Sequence, residues 1–193
     1  HHLHGGNKGF DHRFWEVEEV NTDKSRGLRF KRVSPDGEEG YPGNVRVRVE
    51  YTVPNDAMEL QVTCDAETDS PTVISLAQHS YFNFSGKFYE NILGYELQID
   101  AEKYIPVKKS KIPTGEIWDV GGAAMDFRKQ TCFVENIRRA DDQIQYAGGY
   151  DHCFILNGPA GELRSVARVW DPTTGRTLEV LTTEPGLQLY TAN

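Results

Sequence analysis

At 193 residues the chain is long enough to build one domain with a substantial core. A hydrophobic content of 38% and an aromatic content of 11% exclude a disordered chain, and a formal net charge of −8 excludes the basic stripe that a nucleic-acid surface requires. No apolar run reaches the length of a membrane helix and no secretory pattern opens the chain, so a cytoplasmic protein without a membrane partner is expected.

The chain starts with His1-His2-Leu3-His4-Gly5-Gly6. Three histidines in four positions raise a metal site, but no carboxylate or cysteine stands at a familiar ligand spacing, and no metal is expected. The two glycines let the backbone turn tightly and leave space beside His4. Residues 14–20 and 28–33 read as strands, the second alternating apolar and basic side chains. Two prolines and three glycines between Ser34 and Gly43 make a structured loop. The clearest strand follows, with Val45, Val47, Val49, Tyr51 and Val53 on one face, and Pro54-Asn55-Asp56 turns it into a partner carrying Leu60, Val62, Cys64 and Ala66. Thr72-Val73-Ile74-Ser75-Leu76 is a β-like run leading into Gln78-His79-Ser80-Tyr81-Phe82-Asn83.

Further strands are predicted around Tyr95-to-Ile99, 104–107, 112–117 and 150–156, and a short helix over 134–140. Two last strands, 165–170 and 177–181, flank the turn Asp171-Pro172-Thr173-Thr174-Gly175. Many short antiparallel strands with little helix predict an all-β chain, an antiparallel β-sandwich, forming one domain over 1–193. Cys64, Cys132 and Cys153 are widely spaced and odd in number, as expected of reduced thiols. Asn83-Phe84-Ser85 matches a glycosylation acceptor, which without a secretory pattern is read as chance.

His79 is the first candidate for chemistry. An imidazole at the end of an extended run, beside a phenol and an amide, suits proton donation to a polar ligand. Taken by itself, it reads first as a half-buried histidine hydrogen-bonded within a sheet. The ordered set around it changes that reading. His4-Gly5-Gly6, the loop 34–43, His79-Ser80-Tyr81-Phe82-Asn83, Pro113-Thr114-Gly115, Asp126-Phe127-Arg128, Gly149-Tyr150-Asp151-His152 and Thr182-Thr183-Glu184-Pro185-Gly186-Leu187-Gln188 together resemble the aldose 1-epimerase (galactose mutarotase) family, across essentially the whole chain.

The resemblance implies a galactose mutarotase-like β-sandwich that interconverts the α and β anomers of hexoses such as galactose and glucose. It implies no metal or organic cofactor, a small-molecule hexose as partner, and a monomer or weak dimer. His79 matches the general acid toward the ring oxygen and His4 a second active-site histidine. Asp151 matches a carboxylate that holds sugar hydroxyls, and Gln188 a polar sugar contact. The family's general base is a glutamate that would lie beyond Asn193, and a sugar-binding arginine would precede His4, so the chain reads as the central portion of a mutarotase, incomplete at both ends. Gln78 stands where asparagine is common, and Glu184 reads as structural. Two other readings compete: a sugar-binding relative without turnover, and an epimerase for phosphorylated sugars. The low number of clustered basic residues near the matched motifs disfavours the second.

Overall fold

A computed structural model describes residues 2–87 and 89–193; His1 and Phe88 lie outside the described residues. The chain divides into two compact units, His1–Ser80 and Tyr81–Asn193, each described by itself.

The first unit is a four-stranded antiparallel meander of β1 (Glu16–Glu19), β2 (Ser25–Ser34), β3 (Val45–Pro54) and β4 (Gln61–Thr68), paired in chain order. The β2–β3 ladder is unbroken from Ser25↔Pro54 to Ser34↔Val45. Side chains alternate across it, so Val45 and Val47 are buried on one face while Arg46 and Arg48 are exposed on the other. The charged face carries cross-strand ion pairs, among them Arg29 with Glu18 at 2.8 Å and with Glu50 at 2.7 Å, and Arg48 with Asp65 at 2.8 Å. Exposed pairs of this kind contribute about 0–1 kcal/mol each. Burying a valine side chain contributes roughly 1.5–3 kcal/mol, so the apolar face sets the register.

Arg32 breaks the apolar/basic alternation of β2, because its partner in register is Val47 and its side chain lies on the apolar face. Its guanidinium, 8% exposed, pairs with Glu38 at 2.7 Å and lies 4.7 Å from the centre of the Phe10 ring and 5.8 Å from that of Trp15. The aromatic faces offset the loss of water around a buried cation.

The run 72–76 differs from expectation. Residues 71–83 join no strand ladder among the described residues, and Val73 is exposed. β-Branched side chains favour an extended backbone, but a strand also needs a neighbour to take its N–H and C=O groups.

The second unit contains β5 (Glu96–Ile99), β6 (Ala101–Ile105), β7 (Trp118–Asp119), β8 (Thr131–Cys132), β9 (Asp151–Leu156), β10 (Arg164–Trp170), β11 (Thr177–Thr182) and β12 (Gly186–Tyr190), with short helices α1 (Phe133–Ile137) and α2 (Asp142–Ala147). They form two antiparallel sheets, in the orders β11-β10-β5-β8 and β12-β9-β6-β7. Leu97, Ile99 and Val166 from one sheet and Tyr104, Phe154 and Leu156 from the other belong to a single buried cluster. Phe127 ties it together, with ring centres 5.2 Å from Tyr150, 5.9 Å from Phe133 and 6.3 Å from Phe154. The Tyr150 hydroxyl donates to the Ala124 carbonyl at 2.7 Å, so the phenol is buried without an orphaned polar atom.

The predicted helix 134–140 is α1, which stops at Ile137. α2 was not anticipated, although its ends are marked: Asp141 accepts from Gln143 N–H as its N-cap, and Gly148 closes it in the left-handed region. The extended run expected over 112–117 is reduced to the isolated bridge Val107↔Pro113, with the paired strand β7 following it.

Candidate active site

In the first unit the turn at His4 is built from left-handed backbone. His4 has φ of 52°, followed by Gly5 at 85° and Gly6 at 105°, and Gly6 N–H closes the turn on the Leu3 carbonyl at 3.0 Å. The turn presents an exposed His4 imidazole whose ring centre lies 5.2 Å from that of His79, with the planes at 83°. The two histidines, far apart in sequence, therefore meet edge to face. Gln78 brackets His79 locally: its amide nitrogen donates to the Ser80 hydroxyl at 2.6 Å and its amide oxygen accepts from Ser80 N–H at 3.1 Å.

In the second unit Asp151 opens β9, whose alternation buries His152, Phe154 and Leu156 and turns Asp151, Cys153 and Ile155 to the outer face. Gln188 of β12 is in register with Cys153 and Tyr190 with Asp151, so Gln188 and Asp151 are diagonal neighbours on that face. The Gln188 amide donates to Asp151 Oδ1 at 2.8 Å. Tyr190 stands beside them with its ring centre 5.9 Å from that of Tyr81, both rings partly open to solvent. A carboxylate with one oxygen held by an amide can accept from a ligand hydroxyl with the other.

His152, which closes the 149–152 motif without a role of its own there, is fully buried next in sequence to Asp151. Its Nδ1 accepts from the Asp151 N–H at 3.1 Å, leaving the proton on Nε2, which has no partner among the described residues. Burial drives its pKa down from 6.5 to about 4, against the pull of the Asp151 and Asp141 carboxylates. The only signal in the sequence was its place on the core face of an alternating strand. Because the unfolded chain takes up a proton that folded His152 refuses, the stability contribution is complete above pH 6.5 and is lost as pH falls towards 4. About 3 kcal/mol should disappear across that window. Urea unfolding followed by tryptophan fluorescence at pH 7.5 and pH 4.5 checks this, and His152→Asn should flatten the dependence.

Among the described residues no three His, Cys, Asp or Glu side chains gather as a metal-binding group. No described helix is long and apolar enough to cross a membrane.

The antiparallel sheets match those of solved galactose epimerases. The chain superposes on galactose 1-epimerase from Lactobacillus acidophilus NCFM with a TM-score of 0.79 and 30% identity, covering 88% of this chain and 48% of that one. It superposes on the GalM/aldose epimerase homologue from C. elegans with a TM-score of 0.83 and 26% identity, covering 98% and 55%. The sequence profile of the aldose 1-epimerase family matches residues 1–193. The galactose mutarotase of Bos taurus is 44% identical over 191 residues, which are 99% of this chain and 52% of the relative. The chain belongs to the aldose 1-epimerase family. It spans about half the length of the curated relatives it matches.

Proposed function

We propose that this protein interconverts the α and β anomers of hexoses such as galactose and glucose by general acid/base ring opening. The observation that carries the reading is the edge contact of His4 and His79 at 5.2 Å, two residues brought together from opposite ends of the first unit. Opening a cyclic hemiacetal requires the anomeric hydroxyl to lose a proton while the ring oxygen gains one and the C1–O5 bond breaks. Rotation about C1–C2 then lets the hydroxyl add back to either face of the aldehyde, with the two proton transfers reversed. Concerted acid and base avoid a free oxyanion or oxocarbenium ion, each contributing ~10²–10⁴-fold.

In this reading His79 protonates the ring oxygen and His4 is the second active-site histidine. Asp151 and Gln188 hold sugar hydroxyls and take no part in bond breaking. The base is assigned to the glutamate that the family has in a strand after the 185–188 motif. The profile match across 1–193 supports treating both compact units as parts of one mutarotase-like domain.

Polarimetry of freshly dissolved α-D-galactose and α-D-glucose, with the protein at its natural length, tests the reading. Faster approach to the equilibrium rotation than in buffer is the expected result. Galactose binding without acceleration would make the protein a sugar binder, and acceleration confined to phosphorylated sugars would change the substrate class.

A further inference from the structure

The loop 34–43 takes no part in the chemistry above, yet one of its carboxylates, that of Glu39, reaches the backbone just after the turn that carries His4. Glu39 Oε2 accepts from Asn7 N–H at 2.8 Å and Oε1 from Lys8 N–H at 3.1 Å. Arg13 lies against the same carboxylate at 3.6 Å. Gly6 is packed so closely on Glu39 that an added Cβ would overlap Oε2 and stand 2.9 Å from Cδ. Gly9 makes a similar allowance, since a Cβ there would overlap the His4 carbonyl oxygen.

The backbone is bent on both sides of this contact. Among the described residues four non-glycines have positive φ, and two of them, His4 and Glu39, both at 52°, flank the Gly6 contact. Such conformations persist only where the surroundings over-determine them. Glu38 supplies the anchorage: it accepts from Ser34 Oγ at 2.6 Å and Arg32 Nη2 at 2.7 Å, and lies 3.3 Å from Arg13 Nε. One carboxylate thus fastens the loop to β2 while its neighbour holds the N–H groups just after the histidine turn.

We infer that Glu39 is a positioning residue for His4: its carboxylate, bound to the Asn7 and Lys8 N–H groups and packed on Gly6, sets the left-handed turn from which the imidazole projects. A carboxylate is required because each of two converging N–H donors takes a separate oxygen. A glutamine offers one acceptor and turns an NH₂ group towards the other donor. The kinetic part of the inference rests on His4 being an active-site residue; the geometric part does not.

The test uses Glu39→Gln, Gly6→Ala, their combination and Glu39→Asp in the protein at its natural length. Steady-state mutarotation is measured together with the pH titration of His4 by NMR, its signal assigned by its loss in His4→Asn. Glu39→Gln and Gly6→Ala should each lower kcat by ~10–100-fold with KM nearly unchanged, and shift the His4 resonance. The loss caused by Gly6→Ala should be smaller in Glu39→Gln than in the parent, because the two share one contact; the part that persists is the strain of an alanine at φ of 105°. Glu39→Asp, which keeps two acceptors, should recover part of the rate. If Glu39→Gln fails to fold, Gly6→Ala carries the same measurements. A His4 signal that titrates as in the parent protein in either variant overturns the inference, as does a loss of rate that only follows the loss of folded protein. Should His4→Asn itself leave mutarotation intact, the assignment of His4 to the chemistry fails. The His4 resonance then decides the positioning role by itself, displacement upholding it and constancy overturning it.

Discussion

His79→Asn should reduce mutarotation by ~10²–10⁴-fold while galactose binding remains measurable. Asparagine keeps a polar group of similar reach but cannot carry a proton between donor and acceptor near neutral pH. If His79 protonates the ring oxygen, its interaction with the sugar is much stronger in the transition state than in the ground state, so kcat falls and KM changes little. The structure makes a folding defect a poor alternative explanation. His79 is exposed and lies in a segment without ladder hydrogen bonds among the described residues. Its neighbours Gln78 and Ser80 keep their mutual hydrogen bonds when the imidazole is replaced. The check is polarimetry of fresh α-D-galactose beside isothermal titration with the same sugar. A variant retaining a near-parental rate would remove His79 from the acid role.

The sheet elements were legible where two signals agreed. The β3–β4 hairpin combined strict alternation with a Pro-Asn-Asp turn, and its ladder runs from Val45↔Thr68 to Thr52↔Gln61. β9 was equally readable, and its alternation correctly separates the outward Asp151 from the buried Phe154. The run 72–76 misled because β-branched composition reports backbone preference, whereas pairing depends on partners that composition does not encode. α2 was missed because six residues give too little periodicity to reveal a helix, although Asp141 and Gly148 marked its limits.

Of the candidate site, the residue types could be read and their contacts could not. Nothing local to His4 or His79 says that their rings meet, since that contact depends on the glycine turn and on how the meander returns. The role of the loop 34–43 was hidden for a related reason. Its prolines and glycines announce a loop, but only the fold shows Glu38 fastened to Arg32 and Glu39 to the backbone of Asn7 and Lys8. Arg32 interrupts the alternation of its strand, and only its register with Val47 and its pairing with Glu38 show how a guanidinium is held on the apolar face.

Asp151→Ala should weaken galactose binding by ~10–100-fold and raise KM, with a smaller fall in kcat, since a hydrogen bond to a charged group contributes about 1.5–3 kcal/mol. The geometry supports a binding effect over a folding effect. Asp151 projects from the outer face of β9, while the core is packed from the opposite face by His152, Phe154 and Leu156. Gln188 already satisfies Oδ1 at 2.8 Å, and no bond to Oδ2 is made among the described residues, so the second oxygen is available to a sugar hydroxyl. Removing the carboxylate also releases the Gln188 amide, so Gln188→Ala added to Asp151→Ala should cost less than it does in the parent protein. Asp151→Asn separates charge from shape: it still accepts from Gln188 through its oxygen, and it should bind galactose more tightly than the alanine variant but less tightly than the parent. Isothermal titration with galactose measures the parent and the four variants, and urea unfolding of the same samples monitors the fold. Unchanged affinity together with an unchanged rate in Asp151→Ala would make Asp151 a structural member of the β9–β12 ladder and leave Gln188 without a reason to face it.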